Sequence, residues 1–130
     1  MVIFLLSAIL FFQDDLPLTL NIYDPEARAI IIFAPDNRSA EYEQSLYLLT
    51  KDPIGLDQRN VLIFEIFASG GIGPGGESFS EEQVNAIRTY YQADAQRFMV
   101  LLTRKHFEEI LRSEKPMQLD DIFQSFDQEE

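Results

Sequence analysis

Three stretches of this chain carry residues whose types and spacing could do chemistry. The first is Pro35-Asp36-Asn37-Arg38-Ser39, between a β-branched run and an amphipathic stretch. A helix opening after Ser39 presents free backbone N–H groups, and Arg38 adds a positive charge, so a small anion is a candidate ligand. A capped helix start beside one solvated arginine is the commoner situation. Arg28 and Arg59 precede the two most apolar runs. They could reach a ligand; pairing with carboxylates such as Asp24 or Asp57 at the sheet's edge is the favoured expectation. The second stretch, Gly71-Ile72-Gly73-Pro74-Gly75-Gly76, matches the GxGxxG pattern of dinucleotide-binding loops. That reading needs the third glycine packed against a helix start aimed at pyrophosphate. Glu77-Ser78-Phe79 intervenes, and Glu77, Glu81 and Glu82 would repel phosphate, so a flexible surface loop is expected. The third is His106, the sole histidine, beside Glu108 and Glu109. A zinc site wants three or four convergent ligands, so a solvated turn is expected.

Other chemistries are excluded or unsupported. With no cysteine, disulfides, Cys-ligated zinc and thiol catalysis cannot occur. No Gly-Lys-Ser/Thr follows the glycines, which excludes a P-loop. The acidic pairs Glu81-Glu82, Glu108-Glu109 and Asp120-Asp121 lack calcium-loop spacing. No serine is marked as a nucleophile by its context. Neither cofactor nor metal is expected.

The 130 residues fit one domain, and 46% hydrophobic residues suffice for a core. A formal charge of −12 disfavours nucleic acid, whose phosphates need a clustered basic face, and disfavours an anionic membrane surface. It fits a solvated acidic surface or a basic partner. Val2 to Phe12 is an apolar run closed by Gln13-Asp14-Asp15. It is too short for a membrane-spanning helix, which needs ~20 residues. Its length suits the core of a secretory signal, although a preceding Lys or Arg and a clean small-x-small cleavage site are missing. The expectation is a signal over residues 1–13, one domain over 14–130, no stable membrane span, and a periplasmic or secreted location. A buried N-terminal strand is the alternative.

The elements that must position these residues follow from periodicity. Leu16 to Ala27 predicts an extended lead-in. Ala29 to Ala34 predicts a central strand buried on both faces, ended by Pro35. Tyr42, Leu46 and Leu49 predict the inner stripe of a helix, closed by Asp52-Pro53 and Gly55. Val61 to Phe67 predicts a second buried strand, with Glu65 near its exposed end or buried and perturbed. Ser80 with Gln83 predicts a capping box, and Val84, Ile87 and Tyr91 the stripe behind it. Phe98 to Leu102 predicts a third strand and Phe107 to Arg112 a hairpin partner. Leu119, Ile122, Phe123 and Phe126 predict a last helix.

The resulting order, β-α-β-α-β-β-α, is that of thioredoxin-like proteins. RAIIIFAP, Tyr42 and Gln44, Asp57-x-Arg59 before VLIFEIF, LRSEKP and the closing LDDIFQSFD together resemble a family catalogued as domain of unknown function 4174. The resemblance covers about residues 20–127. It implies a peroxiredoxin-like variant of the thioredoxin fold, α/β and three-layered around a mixed four-stranded sheet, in exported proteins. It implies no activity. It also places Pro35 to Ser39 where peroxiredoxins keep their active site. Two departures stand out. Lys105-His106-Phe107 replaces the Lys-Asp-Gly common at the family's hairpin tip, so the turn must be built differently. Gln128-Glu129-Glu130 stands where many members continue with Met-Pro-Met-Arg. Asp94-Ala95-Gln96 before the third strand lacks the cis-proline of thioredoxins.

The expected function is a non-catalytic module binding a protein or a small anion through Pro35, Asn37, Arg38, Ser39 and Arg59. The alternatives are a non-thiol enzyme using the same cleft and, less favoured, a nucleotide-binding regulator. An enzyme should show convergent titratable groups beside a concave pocket, and a binding module an exposed apolar patch.

Overall fold

The computed structural model describes residues 15–128. The expected signal over residues 1–13 lies outside them. Among the described residues no helix is long and apolar enough to cross a membrane.

The chain is a mixed α/β structure. Its elements are α1 (Leu18–Asn21), β1 (Arg28–Phe33), α2 (Ala40–Leu49), α3 (Pro53–Gln58), β2 (Val61–Ile66), β3 (Gly71–Ile72), β4 (Ser78–Phe79), α4 (Glu81–Tyr91), β5 (Met99–Arg104), a 3-10 turn (Lys105–Phe107), β6 (Glu108–Ser113) and α5 (Leu119–Gln128). The sheet has six strands in the order β4-β3-β2-β1-β5-β6. β1 and β2 are parallel, with Arg28 beside Val61 and Phe33 beside Ile66; β5 runs antiparallel to β1 and β6 to β5.

Alternation along the central strands splits the core into two layers. Ala29, Ile31, Phe33, Phe64, Ile66 and Leu101 meet Val84, Ile87 and Tyr91 of α4, with Leu20 of α1. Ile30, Ile32, Val100 and Leu102 meet Tyr42 and Leu49 of α2, Leu56 of α3, and Leu119, Ile122 and Phe126 of α5. The continuous apolar runs are therefore strands covered on both faces, as predicted.

Four expectations are corrected. The sheet has six strands rather than four, because the glycine-rich segment folds back as the hairpin β3–β4 against β2. Only glycine fits at position 71: a Cβ there would come within 2.6 Å of the Glu65 carbonyl oxygen. Gly76 supplies the left-handed residue of the turn, at φ +87°. The lead-in contains one helical turn, α1. Asp52-Pro53 does not end the α2 region but starts α3, since Asp52 accepts from the Gly55 N–H at 2.9 Å and Pro53 occupies the first turn.

The fourth correction concerns the hairpin tip, where Phe107, expected to open the fourth strand, ends the 3-10 turn and β6 begins at Glu108. His106 and Phe107 both take left-handed conformations, at φ 63° and 56°. The tip thus uses the backbone that Asp-Gly adopts readily, with two residues that resist it. Phe107 is buried at 1% exposure, and its ring meets Phe64 edge-on at 5.8 Å between centroids. Its carbonyl accepts the Tyr91 hydroxyl at 2.7 Å, and the His106 N–H donates to the Pro25 carbonyl at 2.6 Å. Core packing holds the turn where the sequence lacks a glycine.

Candidate functional site

The turn after β1 is sewn to the end of β2. The Ala34 N–H donates to the Ile66 carbonyl at 3.0 Å, and the Ala68 N–H to the Pro35 carbonyl at 3.2 Å. Within the turn, the Asp36 carboxylate accepts from the Arg38 N–H at 2.8 Å. Ser39 is the N-cap of α2, accepting from the Tyr42 N–H at 3.2 Å. Asn37 and Arg38 are exposed. Glu41 and Glu43 stand in the first turn of α2. A free anion would meet these two carboxylates and Asp36 with one guanidinium to offset them, at a helix start already capped.

Arg59 is not part of this turn. β1 and β2 are parallel, so the residue before β2 sits at the opposite end of the sheet, about 20 Å away at the usual rise of a strand. Its Nε and Nη2 donate to the two Asp127 oxygens, each at 3.0 Å, and its Nη1 to the Gly55 carbonyl at 3.0 Å. The guanidinium lies 3.9 Å from the centre of the Phe123 ring. The hydrogen bonds from Arg59 hold the Asp127 carboxyl below the usual carboxylate range. Arg28 donates to the Arg59 carbonyl at 3.0 Å and lies over Phe126. For Arg59, Asp127 and the ring of Phe123 thus stand where the nearby Asp57 was expected; Asp24 accepts from the Glu26 N–H and the Asn60 side chain.

Tyr42 of α2 and Arg88 of α4 do sit at the carboxyl end of the parallel pair, Tyr42 against Glu65 of β2. Tyr42 is buried, packs edge-on against Phe67 at 5.1 Å, and donates its hydroxyl to the half-buried Glu65 carboxylate. Burial, reinforced by that bond, pushes the Tyr42 phenol well above its ordinary value. Glu65 is therefore a half-buried carboxylate held by a tyrosine, between the two situations the sequence left open.

Arg88 of α4 is the residue that sequence reasoning missed. It is buried at 8% exposure. Its Nη1 donates to the Phe67 carbonyl, and its Nη2 to the Ala68 carbonyl at 3.0 Å and to Asn85. Burial lowers its affinity for the proton, and Glu81 partly restores it. It caps the chain leaving β2, as β1 does from the other side through Pro35. The signal was present: with Val84, Ile87 and Tyr91, Arg88 completes an i, i+3, i+4, i+7 inner stripe.

The glycine-rich hairpin cannot cradle a phosphate in this form. The Glu77 carboxylate folds over it, taking the Tyr23 hydroxyl first and then the N–H groups of Glu77 and Gly75, which together hold it below the usual carboxylate range. The Gly73 N–H is bonded to the Glu77 carbonyl at 2.8 Å. The loop is an ordered turn that supplies its own anion. His106 is exposed. Among the described residues no group of three or more His, Asp or Glu side chains could hold a metal ion.

Concavity lies elsewhere. An open cleft of about 970 Å3 runs between α4 and β6, lined by Asn85, Tyr90, Tyr91, Glu109 and Arg112 among others, and by none of Pro35 to Ser39. Within it the Arg112 guanidinium donates to both Glu109 oxygens, at 2.6 and 2.7 Å, and to the Tyr91 carbonyl. The exposed large apolar side chains include Leu18 of α1 and Ile22 just after it, Tyr47 of α2, Ile54 of α3 and Leu111 of β6.

A comparison with curated proteins finds no match. The family model for the domain of unknown function DUF4174 matches residues 19–130, which is most of the chain and contains every strand described above, so the protein belongs to the DUF4174 family.

Proposed function

We infer that the chain is an exported, non-catalytic binding domain of thioredoxin-like (peroxiredoxin-like) build, and that the Pro35–Ser39 turn is its contact surface for a protein partner. The thioredoxin-like part is supported by the inner strand order β2-β1-β5-β6, with β1 and β2 parallel and helices on both faces. On that reading β3–β4 is a hairpin added to one edge. The export part rests on Val2 to Phe12.

The observation that carries the binding reading is that polar groups at the carboxyl end of the sheet are spent on the fold. Asp36 and Ser39 cap backbone, Glu65 holds Tyr42, and Arg88 holds two carbonyls. Asn37 and Arg38 remain at the tip. A catalytic centre needs convergent groups around a recess; an exposed tip on a rigid frame suits recognition. The acidic first turn of α2 favours a protein surface over a small anion.

The test places a photo-reactive amino acid at Asn37, and as a control at Gln58 at the other end of the sheet, in a culture of the source organism, cells and medium together. A partner captured from position 37, absent from position 58 and lost on Arg38→Glu is expected. The anion alternative is tested by titrating inorganic phosphate into the 15N-labelled protein. A saturable shift confined to residues 38–41 would establish an anion site and displace the protein reading.

A further inference from the structure

The sheet ends in two unequal edges. β4 is two residues long and exposes little unpaired backbone. β6 is six residues long and is the last strand in the order. Among the described residues no further element's backbone bonds to its outer side. An open strand of that length presents N–H and C=O groups that template another strand. β6 contains neither Lys nor Pro, the residues that most often blunt such an edge. It keeps one bulge, at Ile110, because Thr103 lies opposite Glu109 while Leu102 lies opposite Leu111.

The sequence of β6, EEILRS, is complementary to itself in reverse. Laid antiparallel about a twofold axis between Ile110 and Leu111, it sets Glu109 of each copy against Arg112 of the other. Ile110 then faces Leu111, and Glu108 faces Ser113. The bulge puts Glu109 and Arg112 on one face of the sheet, where they already pair within the chain at 2.6 Å. Leu111 is 39% exposed and would gain an apolar neighbour. A charge of −12 per chain opposes indiscriminate association, so an edge contact needs matched charges.

We propose that the protein forms a twofold dimer in which β6 pairs antiparallel with β6 of a second copy, joining two six-stranded sheets into one. The twofold consumes both long edges and leaves only the short β4 edges outside, so assembly closes at two copies.

Sedimentation of the full chain at physiological ionic strength tests this, with two reciprocal variants. In Glu109→Arg both pairs between positions 109 and 112 across the seam become Arg against Arg, and in Arg112→Glu they become Glu against Glu. Each is expected to weaken the dimer about tenfold or more. Mixed together, the two variants face each other as Arg against Glu at both positions, and dimer should return to near the wild-type level. That recovery cannot come from the ion pair within a chain, which both variants lack, nor from the apolar N-terminal segment, which both keep. Leu111→Lys, with unchanged far-UV circular dichroism, is expected to be monomeric. A wild-type monomer at all concentrations, a dimer indifferent to the single variants, or a mixture no more dimeric than its components would overturn the proposal.

Discussion

Replacing Phe107 tests whether the hairpin tip is held by the core against its own backbone. Two effects oppose each other there. Phe107 has a left-handed backbone at φ 56°, which costs a non-glycine residue roughly 1–2 kcal/mol. Its ring is 1% exposed, and truncating such a ring costs about 3–5 kcal/mol. Phe107→Ala loses the ring and keeps the backbone cost, so its loss is the full ~3–5 kcal/mol. Phe107→Gly loses the ring but relieves the backbone, against a greater unfolded-state entropy of about 0.5–1 kcal/mol. The glycine variant should therefore be the more stable by about 0.5–1 kcal/mol, the reverse of the usual order in regular structure. Urea denaturation, with slopes checked for equality, reads both differences. An alanine variant as stable as the glycine variant would refute the strain. A loss below about 1 kcal/mol in both would refute the anchoring.

Other consequences follow from the packing. Arg59→Ala removes the two-point pair with Asp127 and the contact with Phe123, and should lower stability by about 1–2 kcal/mol in thermal or urea unfolding. Because the Asp127 carboxyl lies below its ordinary value, its contribution is present above the unfolded carboxylate pKa and is lost as pH falls through the folded one; Asp127→Asn should flatten that acid limb of the stability curve. Tyr23, Tyr42 and Tyr91 are all raised, each by burial first. Their contribution is complete below the ordinary phenol range and is lost as pH rises through the folded values, so ultraviolet titration should show phenols that ionise late and together with unfolding. Arg88→Met leaves the Phe67 and Ala68 carbonyls without their donor and should cost about 2–4 kcal/mol; Arg88→Lys should recover only part, since lysine lacks the planar fork.

The parts legible in sequence were those set by periodicity. The strands β1, β2 and β5 announce themselves as apolar runs too continuous for one buried face, and Ser80 with Gln83 forms the capping box its spacing predicts. What escaped depends on backbone conformation and on distance through space. GIGPGGESF carries no strand-forming alternation, yet close approach of Gly71 to Glu65 makes a hairpin of it. Asp52-Pro53 reads equally as a stop or a start, and only the Gly55 N–H decides. Lys105-His106-Phe107 has no turn residue, and its conformation is imposed by the burial of Phe107. Arg59 is separated from the other candidate site residues for a topological reason. Arg38 and Arg59 each adjoin a central strand, but one follows β1 and the other precedes β2, and parallel pairing sends them to opposite ends. Arg88, distant in sequence, arrives at the end that Arg59 does not.

The most direct test of the binding reading is photo-crosslinking from Asn37 compared with Gln58 in a culture of the source organism, cells and medium together. The account predicts one saturable partner from position 37, abolished by Arg38→Glu and never seen from position 58. Equal capture from both positions, or capture that survives Arg38→Glu, would contradict it.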